Sequence, residues 1–210
     1  NHDIARFFSF ANGDMGCGIW DIVSNQAQGW KKPPPTTQPS SNAAYKKLLL
    51  AFTYTYVVPG IPLIYYGDEY GLAGAGDPDN RRMWAPATGH GEDLLEAMKT
   101  LGKLRASLPA LRLGAWPKPL INEGHFHVLA RTIGLAADRP AVLVAINRST
   151  NPRKGQVDLK KVGITKLKTG DPCLATTVEK AAKATKCTVG SDLKLSYDVP
   201  PQTAVVYALN

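Results

Sequence analysis

Cysteine is scarce in this sequence, which has three among 210 residues. Their positions lack the short paired spacing of a zinc site, so we expect no metal site in this chain. Cys173 and Cys187 flank a short segment in the more irregular half, and we expect them to form a disulfide. Such a bond would contribute about 3 kcal/mol through loop entropy and would indicate a secreted or periplasmic protein. Cys17 would then be a small buried residue or a free thiol.

Long apolar runs are also absent. The longest candidate, from Leu48 to Val58, is interrupted by threonine and tyrosine, and a membrane-spanning helix needs about 20 apolar residues. We therefore predict no membrane span. The hydrophobic fraction of 44% is ordinary for a globular protein, and 210 residues can form one large or two small domains.

Aromatic residues are missing from the most basic part of the chain. Ten lysines and arginines lie between Arg148 and Lys186 against three acidic residues, which gives +7 of the net charge of +8. Proteins that bind single-stranded nucleic acid combine such cations with aromatic stacking residues, so we expect no nucleic-acid partner. The basic segment is then either a solvated face or a contact for an acidic or anionic surface.

The stretch from Gly60 to Trp84 organises the chain. Its apolar run Ile61–Tyr66 is too short for a helix, and it predicts a strand buried on both faces, with Pro62 near its start. The run ends at Gly67, Asp68 and Glu69, so carboxylates follow directly after the strand. In folds that alternate strands and helices, chemistry takes place at that end of the strands.

Three motifs carry a family resemblance: Asn1-His2-Asp3, the run GIPLIYYGDE from Gly60, and GDPDNRR from Gly76. Their residue types and order resemble glycoside hydrolase family 13, the α-amylase superfamily, of the neopullulanase, cyclomaltodextrinase and α-amylase type. The resemblance implies an α/β plus all-β fold. Residues 1–114 would be the C-terminal part of a (β/α)8 TIM barrel, strands 7 and 8 with their helices, and residues 115–210 an antiparallel β-sandwich.

The resemblance also implies roles for residues. Asp3 would be the third catalytic carboxylate, which stabilises the transition state, while His2 donates a hydrogen bond at the cleavage subsite and Asn1 orients its neighbours. Without the resemblance, the same residues would be a loop that caps a helix. Both the nucleophile and the acid/base of such an enzyme would lie upstream of Asn1.

The loop after the predicted strand has two interpretations. The resemblance implies that Asp77 and Arg81 hold a glucose unit, and we place Tyr66 with these substrate-binding residues. The alternative for Asp77 and Arg81 is a structural ion pair in a charged surface turn. Trp20 and Trp30, in an irregular segment, either stack on sugar rings or anchor a long loop.

The resemblance predicts a retaining α-glucan-acting hydrolase that cleaves α-1,4-glucosidic bonds in starch, maltodextrin or cyclodextrin. Its partners would be the glucan and the remaining N-terminal part of the same enzyme, with barrel strands 1–6. A calcium site is common in the family, with ligands that generally lie upstream, and we expect no cofactor from this chain itself. The alternatives are a transglycosylase of the same family or a non-catalytic carbohydrate-binding or assembly fragment.

Hydrophobic periodicity predicts two helices, over 43–57 and 92–108. After Trp116 the pattern changes to short β-rich runs between turn residues, typical of an antiparallel sheet. We predict strands at 126–132, 141–147, 194–199 and 203–209. His125 and His127 are expected to be surface or packing residues rather than metal ligands.

Overall fold

A computed structural model describes residues 4–14, 38–76, 78–86, 88–134, 140–167 and 173–209. The chain divides into two compact units. The first unit comprises Asn1–Leu49 and Leu63–Met98, and the second comprises Leu50–Pro62 and Lys99–Asn210. The domain boundary expected after residue 114 stays a prediction. Cys17 and the two tryptophans of the irregular segment, Trp20 and Trp30, lie outside the described residues.

The helices follow the hydrophobic periodicity. They are α1 (Phe7–Asn12), α2 (Asn42–Val57), α3 (His90–Ser107) and α4 (Pro109–Leu113). The hydroxyl of Ser41 accepts a hydrogen bond from the Ala44 amide at 3.4 Å and satisfies one of the free donors at the start of α2. Both predicted helices, α2 and α3, are confirmed, with bounds that differ by one or two residues. No helix within the described ranges is long and apolar enough to cross a membrane.

The predicted strand at 61–66 is not formed. Residues 61–65 have no strand pairing, and the side chains of Ile61 and Leu63 are 96% and 82% exposed. A strand buried on both faces needs hydrogen-bonded neighbours at its edges and side chains packed over each face. The described residues supply neither, so no strand forms at 61–66 in this structure. The other expected barrel strand falls on Asn1-His2-Asp3, outside the described residues.

The second unit contains the antiparallel sheet structure. The strands that the structure describes are β1 (Lys118–Glu123), β2 (Phe126–Thr132), β3 (Ala141–Asn147), β4 (Arg153–Asp158), β5 (Leu174–Thr177), β6 (Ala184–Lys186), β7 (Lys194–Val199) and β8 (Thr203–Leu209). One sheet has the order β1-β2-β3-β8-β5-β6, and β4 pairs with β7 in a second sheet. Every strand pairing is antiparallel. The four predicted strands, β2, β3, β7 and β8, are confirmed with their bounds.

The two sheets share one apolar core. Strand β3 is buried along its whole length, and its side chain Leu143 lies in the same hydrophobic cluster as Val157 of β4 and Leu195 of β7. Side chains from both sheets therefore exclude water from a common interior, which is the main stabilising contribution to this unit.

A disulfide joins Cys173 and Cys187, as predicted. Their Cα atoms are 5.1 Å apart, and the Cys187 amide donates to the Cys173 carbonyl oxygen at 2.9 Å. The bond closes the hairpin formed by β5 and β6, whose first and last residues, Leu174 and Lys186, are register partners. It therefore links the ends of a hairpin that has little apolar surface of its own, since β6 is fully exposed.

Candidate functional site

The candidate site lies in the first unit, where a single buried arginine connects three loops. Arg6 is 3% exposed. Its Nη1 donates to the carbonyl oxygen of Tyr66 and to Oδ1 of Asp68, both at 2.8 Å, and its Nε donates to the carbonyl oxygen of Asn80 at 2.9 Å. The Arg6 amide also donates to the Gly74 carbonyl oxygen at 2.9 Å. The segment that follows Asn1-His2-Asp3 is thereby tied to both motif loops, 60–69 and 76–82.

The ion pair between Arg6 and Asp68 is partly desolvated. Burial raises the pKa of Asp68 above its ordinary value of 3.8, and the charge and hydrogen bond of Arg6 oppose that rise without cancelling it. Arg6 Nη2 is buried and has no hydrogen-bond partner within the part of the chain that the structure describes. The guanidinium therefore depends on a few contacts that water cannot replace.

Two aromatic rings cover the Arg6 guanidinium. Its carbon Cζ lies 4.4 Å from the ring centre of Tyr65 and 4.8 Å from that of Tyr66, which are cation–π distances. Burial, and next the hydroxyl of Tyr66, raise the pKa of Tyr65 above 10.0, while the charges of Arg6 and Arg81 lower it. Tyr66, which is predicted to bind substrate, therefore packs beside Tyr65 on the Arg6 guanidinium, with ring centres 4.6 Å apart.

The charged loop after Gly76 is held by side-chain bonds. Arg82 donates to both carboxylate oxygens of Asp79, at 2.8 and 2.7 Å, and Oδ2 of Asp79 also accepts from the Ala75 amide at 2.7 Å. Asn80 is fully buried, and its side-chain amide donates to the Ile4 carbonyl oxygen at 2.9 Å. Between these anchors, Arg81 ends a 3-10 helix with an exposed side chain.

Two glycines allow the close packing beneath this loop. Gly71 has φ +80°, and a Cβ there would lie 2.7 Å from a ring carbon of Tyr45. A Cβ at Gly74 would lie 2.6 Å from the Asp79 carbonyl oxygen. A side chain at either position would separate the loops that Arg6 connects, so the backbone approach requires glycine.

Of the predicted site residues, Tyr66 and Arg81 lie in the described region. The Tyr66 hydroxyl donates to the Arg82 carbonyl oxygen at 2.9 Å, which fixes its ring against the charged loop. Asn1, His2, Asp3 and Asp77 lie outside the described residues, so their roles stay predictions. Among the described residues of the loop, Asp79 and Arg82 form an ion pair.

Sequence reasoning missed Arg6 and Gln38. Gln38 donates from Nε2 to the Gly71 carbonyl oxygen at 2.5 Å and accepts the Ala73 amide at 3.0 Å. An arginine beside a short apolar run is usually assigned to a solvated helix face, and a glutamine before a helix to a loop. Neither residue carries a local signal of these contacts, because the backbone groups that it binds lie between 33 and 74 residues away in sequence.

Comparisons with known proteins find homologues among α-amylase-family enzymes. Over 122 residues the chain is 44% identical to neopullulanase 2 of Thermoactinomyces vulgaris, an alignment that covers 55% of this chain and 19% of that protein. The chain is homologous to part of the glycoside hydrolase family 13 enzymes. Within this α-amylase family it is also 33% identical, over 112 residues, to a cyclomaltodextrin glucanotransferase of Bacillus sp. strain 38-2, covering 53% of this chain and 15% of the glucanotransferase.

Solved structures of the α-amylase family agree with the described fold. An Anoxybacillus α-amylase matches the whole chain with a TM-score of 0.67 at 26% identity, and the chain covers 36% of it. The α-amylase of Geobacillus thermoleovorans, solved with acarbose, matches with a TM-score of 0.64 at 25% identity and 37% coverage. This chain thus spans less than a fifth of its sequence relatives and about a third of these structures. No protein-family model matches it.

Proposed function

We propose that this chain is the C-terminal part of a retaining glycoside hydrolase that cleaves α-1,4-glucosidic bonds in starch, maltodextrin or cyclodextrin. The observation that carries the proposal is the 44% identity with neopullulanase 2, together with Asn1-His2-Asp3 and GDPDNRR in one chain. In a retaining mechanism one carboxylate attacks the sugar and a second protonates the leaving oxygen. Both would come from the N-terminal part of the same enzyme, which also supplies barrel strands 1–6.

Residues 61–66 would form the eighth barrel strand once strands of the N-terminal part lie beside them. The exposure of Ile61 and Leu63 supports this proposal, because two bulky apolar side chains in water are unfavourable unless another element covers them. The barrel would then end near residue 114, where the β-rich part of the chain begins.

In this proposal Asp3 holds sugar hydroxyls as the ring flattens in the transition state. An interaction that is stronger there than in the ground state raises turnover. Arg6, three residues later, anchors the following segment to the loops of Tyr66 and Asn80. It would thus be a positioning residue, since it ties the segment that follows Asp3 to the loop that carries Arg81.

Arg81 would bind a glucose unit away from the bond that is cut, with Asp77 and Tyr66. Its exposed side chain on an anchored loop supports this role, since the guanidinium can donate several hydrogen bonds to sugar hydroxyls. A remote subsite of this kind binds ground state and transition state alike.

Steady-state kinetics of two variants of the full-length enzyme on a maltooligosaccharide series tests the proposal. Asp3→Asn should lower kcat on the order of 10² to 10³ with a small change in KM, because a charged acceptor becomes a neutral amide. Arg81→Ala should mainly raise KM for long glucans. A folded Asp3→Asn enzyme with near wild-type kcat would show that Asn1-His2-Asp3 only caps a helix.

Transglycosylation is a second candidate, favoured by the similarity to cyclomaltodextrin glucanotransferases. The products formed from maltoheptaose distinguish the two reactions. A hydrolase yields only shorter sugars, whereas a transferase also yields longer or cyclic ones.

We also propose a secreted or periplasmic location, which the disulfide between Cys173 and Cys187 supports. For a calcium ion we propose ligands in the N-terminal part. The described residues contain no group of three or more histidine, cysteine, aspartate or glutamate side chains that could hold a metal.

A further inference from the structure

An exposed tryptophan follows the charged loop of the candidate site. Trp84 is 60% exposed, and its neighbour Met83 is 89% exposed. Large apolar side chains held in water are a common sign of a ligand or partner surface. Trp84 comes three residues after Arg81, so their Cα atoms are at most about 11 Å apart, a span that adjacent sugar rings of one chain can cover.

The backbone around Trp84 is fixed rather than loose. The Tyr66 hydroxyl donates to the Arg82 carbonyl oxygen at 2.9 Å, and the Tyr70 hydroxyl accepts the Ala85 amide at 3.3 Å. These two bonds anchor the chain on either side of Trp84. The side chain is thereby presented at a defined place without being buried.

The indole ring itself contacts an aromatic ring of the described part of the chain. Tyr70, which is 7% exposed, lies at right angles to Trp84 with ring centres 6.2 Å apart and an interplanar angle of 88°. An edge-to-face contact of this kind stabilises the ring orientation. The contact holds the indole while most of its surface stays in water.

We propose that Trp84 is a stacking platform for one glucose ring of the α-glucan, next to the ring held by Arg81. This inference rests on the proposed function and extends it by one subsite. The C–H groups of a pyranose form an apolar face that packs on a flat indole, while the ring's hydroxyls at its rim stay available to donors. Arg81 supplies such donors. The apolar platform of Trp84 and the polar contact of Arg81 would therefore bind adjacent rings of one sugar chain.

Kinetics of the full-length enzyme tests this inference, with maltoheptaose and maltotriose as substrates. Trp84→Ala should raise KM for maltoheptaose about 3- to 10-fold with kcat within about twofold, since one stacked ring is lost. KM for maltotriose should change less, because a short chain does not fill the extra subsite. Trp84→Phe keeps an aromatic face and should restore most of the affinity.

A matched control is Trp116→Ala, since Trp116 is 69% exposed and belongs to the second unit. It should leave KM for both substrates unchanged. If an active Trp84→Ala enzyme keeps the wild-type KM for maltoheptaose, the stacking inference is overturned and the proposed function stands. If Trp84→Ala instead lowers the thermal midpoint strongly, Trp84 packs against another part of the protein, which also overturns it. A wild-type enzyme inactive on all α-glucans would refute the proposed function itself.

Discussion

Arg6→Lys tests whether one guanidinium holds the candidate site together. Arginine presents a rigid fork of donors, whereas lysine has a single ammonium on a flexible stem. Arg6 uses its fork to contact Asp68 and two carbonyl oxygens, those of Tyr66 and Asn80. A lysine can keep the contact with Asp68, but it cannot reach both carbonyl oxygens at the same time.

The expected cost follows from the contact that is lost. A hydrogen bond from a charged donor contributes about 1.5 to 3 kcal/mol to stability. When a buried carbonyl oxygen loses its donor, the folded state loses that contribution, because water cannot take the donor's place. The loss of one such contact predicts a decrease of about 1.5 to 3 kcal/mol in the free energy of unfolding. Domains are stable by only about 5 to 15 kcal/mol, so the thermal midpoint should fall by roughly 5 °C.

Urea unfolding and differential scanning calorimetry of the full-length protein measure this loss. Arg148→Lys is the matched control, because Arg148 is exposed and its substitution should change stability by less than about 0.5 kcal/mol. Steady-state kinetics below the unfolding temperature should also show a reduced kcat/KM for Arg6→Lys, since the two motif loops lose their common anchor. A free energy of unfolding for Arg6→Lys within about 1 kcal/mol of the wild type would refute the reasoning.

Three further predictions concern glycine, tyrosine and cysteine. Gly71→Ala should destabilise the protein by about 2 to 4 kcal/mol in urea unfolding, because Gly71 has a positive φ and an added Cβ would lie 2.7 Å from Tyr45. The control is Gly102→Ala, since Gly102 lies inside helix α3 with open space where a Cβ would be added. That substitution should be neutral or slightly stabilising. Burial raises the pKa of Tyr207 from 10.0 to about 12. The wild type should therefore lose stability as pH rises from 10 to 12, by at most about 2 kcal/mol after solvent screening. Tyr207→Phe should remove that loss, and identical curves of stability against pH for the two proteins would contradict the prediction. Replacing Cys173 and Cys187 by serine should lower the free energy of unfolding by about 3 kcal/mol. Peptide mapping of the wild type without reductant should recover the two cysteines in one linked peptide. Free thiols at both positions would be inconsistent with the bond.

The elements that sequence predicted well are those whose partners lie nearby in sequence or whose pattern is strongly apolar. Helices α2 and α3 have apolar residues at helical spacing. Strands β3 and β8 are almost entirely buried, and their residue types suit that environment whatever else surrounds them. For such segments the local pattern and the tertiary environment favour the same structure.

The strands that sequence missed have little apolar pattern of their own. Half of the residues of strand β4 and all of those of β6 are exposed, and each strand contains a lysine. Their extended conformation depends on backbone hydrogen bonds to β7 and β5. A strand at the edge of a sheet can carry such a sequence, since its neighbour rather than its side chains fixes its backbone.

The apolar run at 61–66 shows the opposite case. Its residue types favour a buried strand, yet strand formation requires hydrogen-bonded neighbours, and the described residues provide none. Sequence by itself therefore determined the motifs, the family resemblance, the two long helices and the most apolar strands. Tertiary structure alone decided that Arg6 is buried and which oxygen atoms it binds. Those hydrogen-bond partners lie 60 to 74 positions away in sequence, which no local pattern records.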